Sequence, residues 1–318
     1  MRFHRLDLNL LVALDVLIEE RSVSVAARRL FLSQSAASAA LNRLREYFDD
    51  DLLALSGRQM ILTAKAEELR EPVREALLLI QTKITTPAIF DPATADRKFS
   101  IIASDYAFNV LLADAFRKAI EIAPGLSFDW YPTDRLATER LERGECDLYL
   151  TLDTHMLDGH PRRPLWQDEH AVICWSGSKH RNSLSDAAFR TAPHVVVYFG
   201  SERFPAFTET LFNQMGIDRH IQMRLPNFSA LPQAIIGTDF LATMYRRHAE
   251  YFASFLPLTI HQPPFALPNI VEELQWHRSR ENDHGLQWLI NLFSEQAAGL
   301  RCAFASDSDS SESLHQEQ

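Results

Sequence analysis

Cysteine and glycine are both scarce in this sequence. Its 318 residues hold three cysteines, Cys146, Cys174 and Cys302, and only ten glycines. Three cysteines so far apart cannot build a disulfide framework or a Cys-x-x-Cys metal cluster, which points to a reducing, cytoplasmic compartment. Sparse glycine leaves little for loops that cradle a cofactor. No Gly-x-Gly-x-x-Gly, no phosphate loop ending in Gly-Lys-Ser/Thr, no Gly-x-Ser-x-Gly elbow and no His-Glu-x-x-His pair occurs. The twelve histidines are scattered, and neither Glu169-His170 nor His277 has metal-ligand spacing. No enzymatic activity, cofactor or metal is therefore expected. Long apolar runs are missing as well: nothing approaches the ~20 residues of a membrane span. The opening Met1-Arg2-Phe3-His4-Arg5 leads into an amphipathic stretch with Asp7 and Asp15, unlike a signal or transit peptide. No membrane association is expected.

Apolar content is ample, 46% against 23% charged, enough for two or three packed domains and too much for global disorder. The net charge of −10 argues against nucleic acid until the charges are located. Residues 1–90 are neutral, with 12 basic and 12 acidic side chains, and the whole deficit falls in residues 91–318. Within residues 21–45, Arg21, Arg28, Arg29, Arg43 and Arg45 stand without a single acid. Such a patch on an acidic protein suits phosphate, although a merely solvated basic face has the same composition.

The first 90 residues read as mostly helical. Leu10, Leu11, Leu14, Leu17 and Ile18 form one stripe behind an Asp7 cap. Ser22 caps a short helix from Val23 to Leu30, with Ala26, Ala27 and Leu30 inward. After a turn at Phe31-Leu32, Ser33 caps a third helix, Gln34 to Phe48, with Ala37, Leu41 and Leu44 inward. Residues 52–62 read as two short strands around Ser56-Gly57, so the pattern is a helix–turn–helix followed by a wing. A long helix from Ala64 to Thr86 follows. Its seam of Leu69, Val73, Ala76, Leu77, Ile80 and Ile84 is close to a heptad and predicts pairing with a second protomer. Residues 87–96 read as a linker.

Beyond Lys98 strands alternate with helices, which predicts parallel sheets. Strands are expected at 99–103, 126–131, 146–152, 171–175, 194–199 and 240–245. Helices are expected at 108–122, 136–143, 204–215, 231–236 and 283–300. The run from Ala305, Ser-Asp-Ser-Asp-Ser-Ser-Glu-Ser, reads as a disordered tail over 305–318.

At this point specific residues match a family. Leu6-Asp7-Leu8-Asn9-Leu10-Leu11, Ser22-Val23-Ser24-Val25-Ala26-Ala27, Leu32-Ser33-Gln34-Ser35-Ala36-Ala37-Ser38, Leu44-Arg45 and Leu62-Thr63 resemble the LysR-type transcriptional regulators. The likeness continues through the linker helix to Leu141-Glu142-Arg143-Gly144-Glu145-Cys146-Asp147-Leu148, leaving out only the tail. The stretches 1–3, 6–14 and 73–78 resemble the nodulation-regulator (NodD-like) branch, which tends to sense aromatic or phenolic molecules. Two positions depart: Ser35 stands where the family usually has Pro, and Lys65 near where it usually has Gly.

The resemblance implies an all-α winged helix–turn–helix over 1–63 and a dimerisation helix over 64–86. It further implies an α/β effector domain of two Rossmann-like subdomains, resembling periplasmic binding proteins. We place these at 97–166 plus 269–300 and at 167–268, with crossing strands near Gln167 and Pro268 as the hinge. Expected partners are double-stranded promoter DNA, a small aromatic or phenolic inducer, further copies of the chain as a dimer and tetramer, and RNA polymerase.

Opposite the buried stripe, the third helix carries Gln34, Ser35, Ser38, Asn42 and Arg45. Gln and Asn pair bidentately with adenine and Arg with guanine, while Ser serves bases or phosphates. A recognition helix enters the major groove by its N-terminal half. Gln34, Ser35 and Ser38 are thus assigned to base edges or adjacent phosphates, with Ser33 at their head, and Arg43 and Arg45 to phosphates. Ser24 and Arg28 lie where the preceding helix can touch the backbone, and Arg58 where the wing can reach the minor groove. For the ligand, the carboxyl ends of the strands and the crevice between subdomains are the expected place. Ser104 and Thr133 can hydrogen-bond a polar group there, and Tyr106, Tyr198, Phe199 and Phe228 can stack on a ring. Asp105 lies at the same strand ends, as does His155, which reads first as a surface loop residue and second as a ligand group. The rival reading is a cytoplasmic small-molecule-binding module whose winged helix makes only protein contacts. The basic patch counts against it.

Overall fold

The computed structural model describes residues 6–57, 59–80, 84, 90–200 and 202–308, with side chains through residue 300. The chain divides into two compact units, Met1–Thr86 and Pro87–Gln318.

In the first unit, α1 (Leu8–Glu20), α2 (Val23–Arg29) and α3 (Gln34–Phe48) each start on a side-chain cap. Asp7 Oδ1 accepts from the Asn9 N–H, Ser22 Oγ from Val25 and Ser33 Oγ from Ala36, satisfying amides that a helix start leaves open. With so little glycine, Arg21 and Asp49 take the left-handed conformation that closes α1 and α3. Strands β1 (Leu53–Ser56) and β2 (Gln59–Leu62) pair antiparallel as the wing. Thr63 then begins α4 (Ala64–Ile80): its Oγ1 accepts from the Ala66 N–H and donates to Asp50 Oδ1. Leu14, Leu17, Ala26, Leu41, Leu44, Leu52 and Leu53 make the core.

The seam of α4 departs from expectation. Val73 is buried in this same core and Leu69 and Leu77 pack against it. Arg74, also buried, pairs with Asp15 and Glu19 of α1. A helical stripe shows that one face needs covering, and here α1 covers much of it. Leu79, and Ile84 just past the helix, remain exposed. Residues 81–83 and 85–86 of the expected helix lie outside the described residues.

The second unit holds two sheets. The first runs β4-β3-β5-β13-β6, formed by β3 (Arg97–Ala103), β4 (Leu126–Pro132), β5 (Leu148–Leu152), β6 (Arg162–Asp168) and β13 (Ile270–Gln275). β3 pairs parallel with β4 and β5, whereas β13 returns antiparallel between β5 and β6. The second runs β10-β8-β11-β7-β12, formed by β7 (His170–Trp175), β8 (Pro193–Phe199), β10 (His220–Leu225), β11 (Leu241–Tyr245) and β12 (Leu258–His261), with β9 (Phe204–Pro205) on the side of β8. The chain passes from one sheet to the other at Glu169 and returns between β12 and β13. The helices are α5 (Asp105–Ala107), continued by a π turn and α6 (Ala113–Ile122), then α7 (Ala137–Glu142), α8 (Asp186–Thr191), α9 (Phe207–Gln214), α10 (Leu231–Ile235), α11 (Arg246–Ala253) and α12 (His284–Ser308).

The expected helix over 204–215 begins only at Phe207. Arg203 is left-handed and Pro205 offers no amide, so Phe204–Pro205 extends along β8 instead. Strands β6 and β13 stand where crossing strands are expected, near Gln167 and Pro268, while strands β10 and β12 and helices α8 and α11 have no counterpart in the expected pattern. Helix α12 runs through Ser308, so it takes in the first residues of the expected tail, and 309–318 lie outside the described residues.

Candidate nucleic-acid interface and ligand cleft

On α3 the buried stripe is Ala37, Leu41 and Leu44, which turns Gln34, Ser35, Asn42 and Arg43 to solvent and leaves Ser38 half-buried. Ser33 is the helix cap, and its hydroxyl lies 2.9 Å from that of Ser35. Ser35 therefore fits the first turn of α3. Arg28 and Ser24 are exposed on α2. Arg43 is exposed and pairs loosely with Asp7 at 3.3 Å, a contact that solvent weakens. Arg45 behaves differently. Its Nε donates to Asp51 O at 2.8 Å and its Nη2 to Leu53 O at 2.9 Å, so it straps α3 to the wing instead of standing free for phosphate. Arg29 is likewise occupied, by Glu19 and Glu20. Arg58 lies outside the described residues. The patch thus separates into exposed Arg28 and Arg43, structural Arg29 and Arg45, and Arg21, exposed at the close of α1.

In the second unit a cleft of about 270 Å³ is lined from both sheets. Ser104, Thr133, His155, Phe199 and Phe228, all expected there, line it. Ser104 Oγ already accepts from the Ala107 N–H as the cap of α5. Thr133 Oγ1 is buried without a partner. His155 lies edge-on to Phe207 at 6.1 Å, and burial pulls its pKa below the ordinary value.

Three expected residues lie elsewhere. Tyr106 is fully buried behind the cleft: its hydroxyl donates to Asp168 Oδ2 at 2.7 Å and accepts from Trp166 Nε1 at 2.8 Å. Asp105 is a strut, accepting from the Phe228 and Ser229 amides and the Ser229 hydroxyl across to the other subdomain. Tyr198 does not line the cleft, and the Arg224 guanidinium lies over its ring at 5.4 Å. All three follow or end strands, but the first turn of α5 points Tyr106 inward.

Residues that sequence reasoning missed add to the wall, among them Phe204, Phe207, Thr210, Tyr149, Tyr245 and Glu272, with Asp134 and Arg135 lining it as well. Glu272 had one visible signal, two consecutive glutamates inside the apolar run Ile270-Val271-Glu272-Glu273-Leu274. Phe204 and Phe207 were hidden by the helix assigned to that stretch. Among the described residues, no group of three or more His, Cys, Asp or Glu side chains could hold a metal ion, and no helix is long and apolar enough to cross a membrane.

Comparison with known proteins agrees with this arrangement. Residues 8–67 match the bacterial regulatory helix-turn-helix protein, lysR family, and residues 93–298 match the LysR substrate binding domain. The chain is 38% identical over 301 residues to Nodulation protein D 1 of Rhizobium tropici, covering 94% of this chain and 98% of that protein. It is 38% identical over 303 residues to Nodulation protein D 1 of Rhizobium meliloti (strain 1021), with 94% and 98% covered. Among solved structures it is similar to a probable transcriptional regulator, PA0477, from Pseudomonas aeruginosa, with a TM-score of 0.60, 28% identity, and 92% and 97% of the two chains covered. With both halves matched and relatives alike from end to end, the chain belongs to the LysR family of DNA-binding transcriptional regulators, in its nodulation-protein-D-like branch.

Proposed function

We propose that this regulator reads promoter DNA with the exposed face of α3 and activates transcription in response to a small aromatic or phenolic compound held in the cleft. The observation that carries the ligand reading is the wall itself. Phe199, Phe204, Phe207, Phe228, Tyr149 and Tyr245 surround a few polar groups in a volume suited to one small ring system. Ligand shifts the balance between open and closed arrangements of the two subdomains, and that shift alters how paired DNA-binding heads engage the operator. Exposed Ile84 carries the seam begun on α4 toward a second protomer, and the working assembly is a dimer or tetramer acting in the cytoplasm beside RNA polymerase.

The test is operator binding with and without a panel of phenolics, for the native chain and for Phe207→Ala. The native chain should change its mobility or affinity with one compound. Phe207→Ala should keep basal operator binding and lose the response. A response of the same size in the variant would remove the cleft from the account.

A further inference from the structure

Glu272 lies at the centre of β13, opposite Leu152 on β5 and Trp166 on β6, and it lines the cleft. It is 2% exposed, and its Oε2 has no hydrogen-bond partner. The β6–β13 register breaks between Glu272 and Glu273, the kind of bulge that re-aims side chains beside a site. Glu273 has Arg162 at 3.6 Å, whereas among the described residues the charges that act on Glu272 are those of Asp168 and Asp153. Thr133 Oγ1, on the same wall, is also buried and unpartnered. Unpartnered buried polar atoms in an aromatic-walled cleft are costly unless something fills them.

The charges around the cleft narrow what that is. Arg135 is paired with Glu202 in solvent, Asp134 has Arg140 at 3.1 Å, and partial desolvation lowers the pKa of His155 at the exposed rim. Facing Glu272 from the neighbouring elements are Asp168 on β6, Asp153 beyond β5, Tyr106 on α5, Tyr149 on β5 and Tyr245 on β11. Two are acids and none is a cation. Burial, reinforced by the Asp168 and Asp153 charges, pushes the Glu272 carboxyl up to about 8, so at neutral pH it carries its proton and can donate.

We propose that Glu272 sets the specificity of this cleft: its carboxyl donates a hydrogen bond to an uncharged oxygen on an aromatic ligand, and the site turns aromatic carboxylates away. This rests on the reading of the cleft as an aromatic-ligand site and adds the residue and the chemical class. Deep in the cleft a carboxylate would meet Glu272 and the fields of Asp168 and Asp153 behind it, out of the company of Arg135, whose pair with Glu202 is solvent-exposed, whereas a ketone or hydroxyl oxygen satisfies the donor at no charge cost.

Acetophenone and benzoate make a matched pair, alike in shape and differing in charge, and acetophenone does not itself titrate. Their binding to the full chain is measured by ligand-observed NMR for the native protein, Glu272→Gln and Thr210→Trp, the last filling the cleft. The native chain should bind acetophenone at least about tenfold tighter than benzoate, and lose about tenfold between pH 7 and pH 9 as the donor ionises. Glu272→Gln, which keeps a donor of the same shape, should hold its pH 7 affinity across that range. Thr210→Trp should abolish binding. Benzoate binding as tightly as acetophenone, or the same pH loss in Glu272→Gln, would overturn the role of Glu272 and leave the cleft standing. No acetophenone binding, or binding that survives Thr210→Trp, would overturn the cleft reading and this inference with it.

Discussion

The Tyr106 hydroxyl donates a 2.7 Å hydrogen bond to Asp168 Oδ2 where the chain leaves β6 for the second sheet. Both residues are buried, and Asp168 also accepts from the Glu169 and Arg247 amides. Burial raises the Asp168 carboxyl to about 6, and the Tyr106 bond works against that rise. Tyr106→Phe should therefore destabilise the fold by roughly 1–3 kcal/mol, the cost of a stranded buried polar group. The loss should be larger above pH 6, where Asp168 is ionised, than at pH 5. Denaturant midpoints at the two pH values check this, and equal midpoints for native and variant chains would refute it.

Arg45 and its neighbours on the basic face should separate by experiment. Arg28→Ala and Arg43→Ala each should flatten the slope of log affinity against log salt by about 0.9, the release of one counterion. Arg45→Ala should leave that slope unchanged and lower the melting temperature instead, because it holds Asp51 and Leu53 of the wing. Salt titrations of anisotropy paired with thermal melts give both readings.

Gln34 is exposed at the first position of α3. Gln34→Ala should cost specific binding about 1–3 kcal/mol, the scale of one bidentate base contact, and leave random DNA almost unaffected. Equal losses on operator and random sequence would assign it to the phosphates.

Glu272 links stability to pH with a definite sign. Its folded-state pKa, about 8, lies above its ordinary 4.5. Below 4.5 both folded and unfolded chains hold the proton and nothing is lost. Between 4.5 and about 8 only the unfolded chain releases it, so stability falls as pH rises through this window. Glu272→Gln removes that contribution. Its melting temperature should gain on the native chain from pH 5 to pH 8, and parallel curves would contradict the assignment.

A buried ion network supports the first sheet. Asp147 accepts from Arg280 Nη1, the Ser100 amide and the Ser100 hydroxyl, while Arg97 binds Asp283 through both nitrogens at 2.6 and 2.8 Å. Asp147→Ala leaves the Arg280 charge buried without its acid and should cost about 3–5 kcal/mol in chemical denaturation, with DNA affinity of the surviving folded fraction unchanged.

What was legible in the sequence follows the range of the forces. The stripe on α3 and the caps at Asp7, Ser22 and Ser33 are decided within a few residues, so periodicity and side-chain type suffice. The same periodicity on α4 revealed a face that needs covering but could not say that α1 would cover Leu69, Val73 and Leu77. At the cleft, the expected strand ends do bring Ser104, Thr133 and Phe199 to the wall, because parallel topology gathers those ends together. The paired glutamates in an apolar run mark Glu272 as unusual, but not its place in the cleft, because β13 reaches that place only by returning from the other sheet to lie between β5 and β6. Tyr106 was misplaced for a similar reason: its partner Trp166 lies 60 residues away.

The most direct test of the account is fluorescence anisotropy on DNA from immediately upstream of this protein's own gene, against random DNA, at several salt concentrations, with and without uncharged aromatic compounds. The account predicts tight, sequence-selective binding that weakens with salt and shifts with one such compound. Affinity equal to that for random DNA across the promoters tried, from a folded protein, would contradict it.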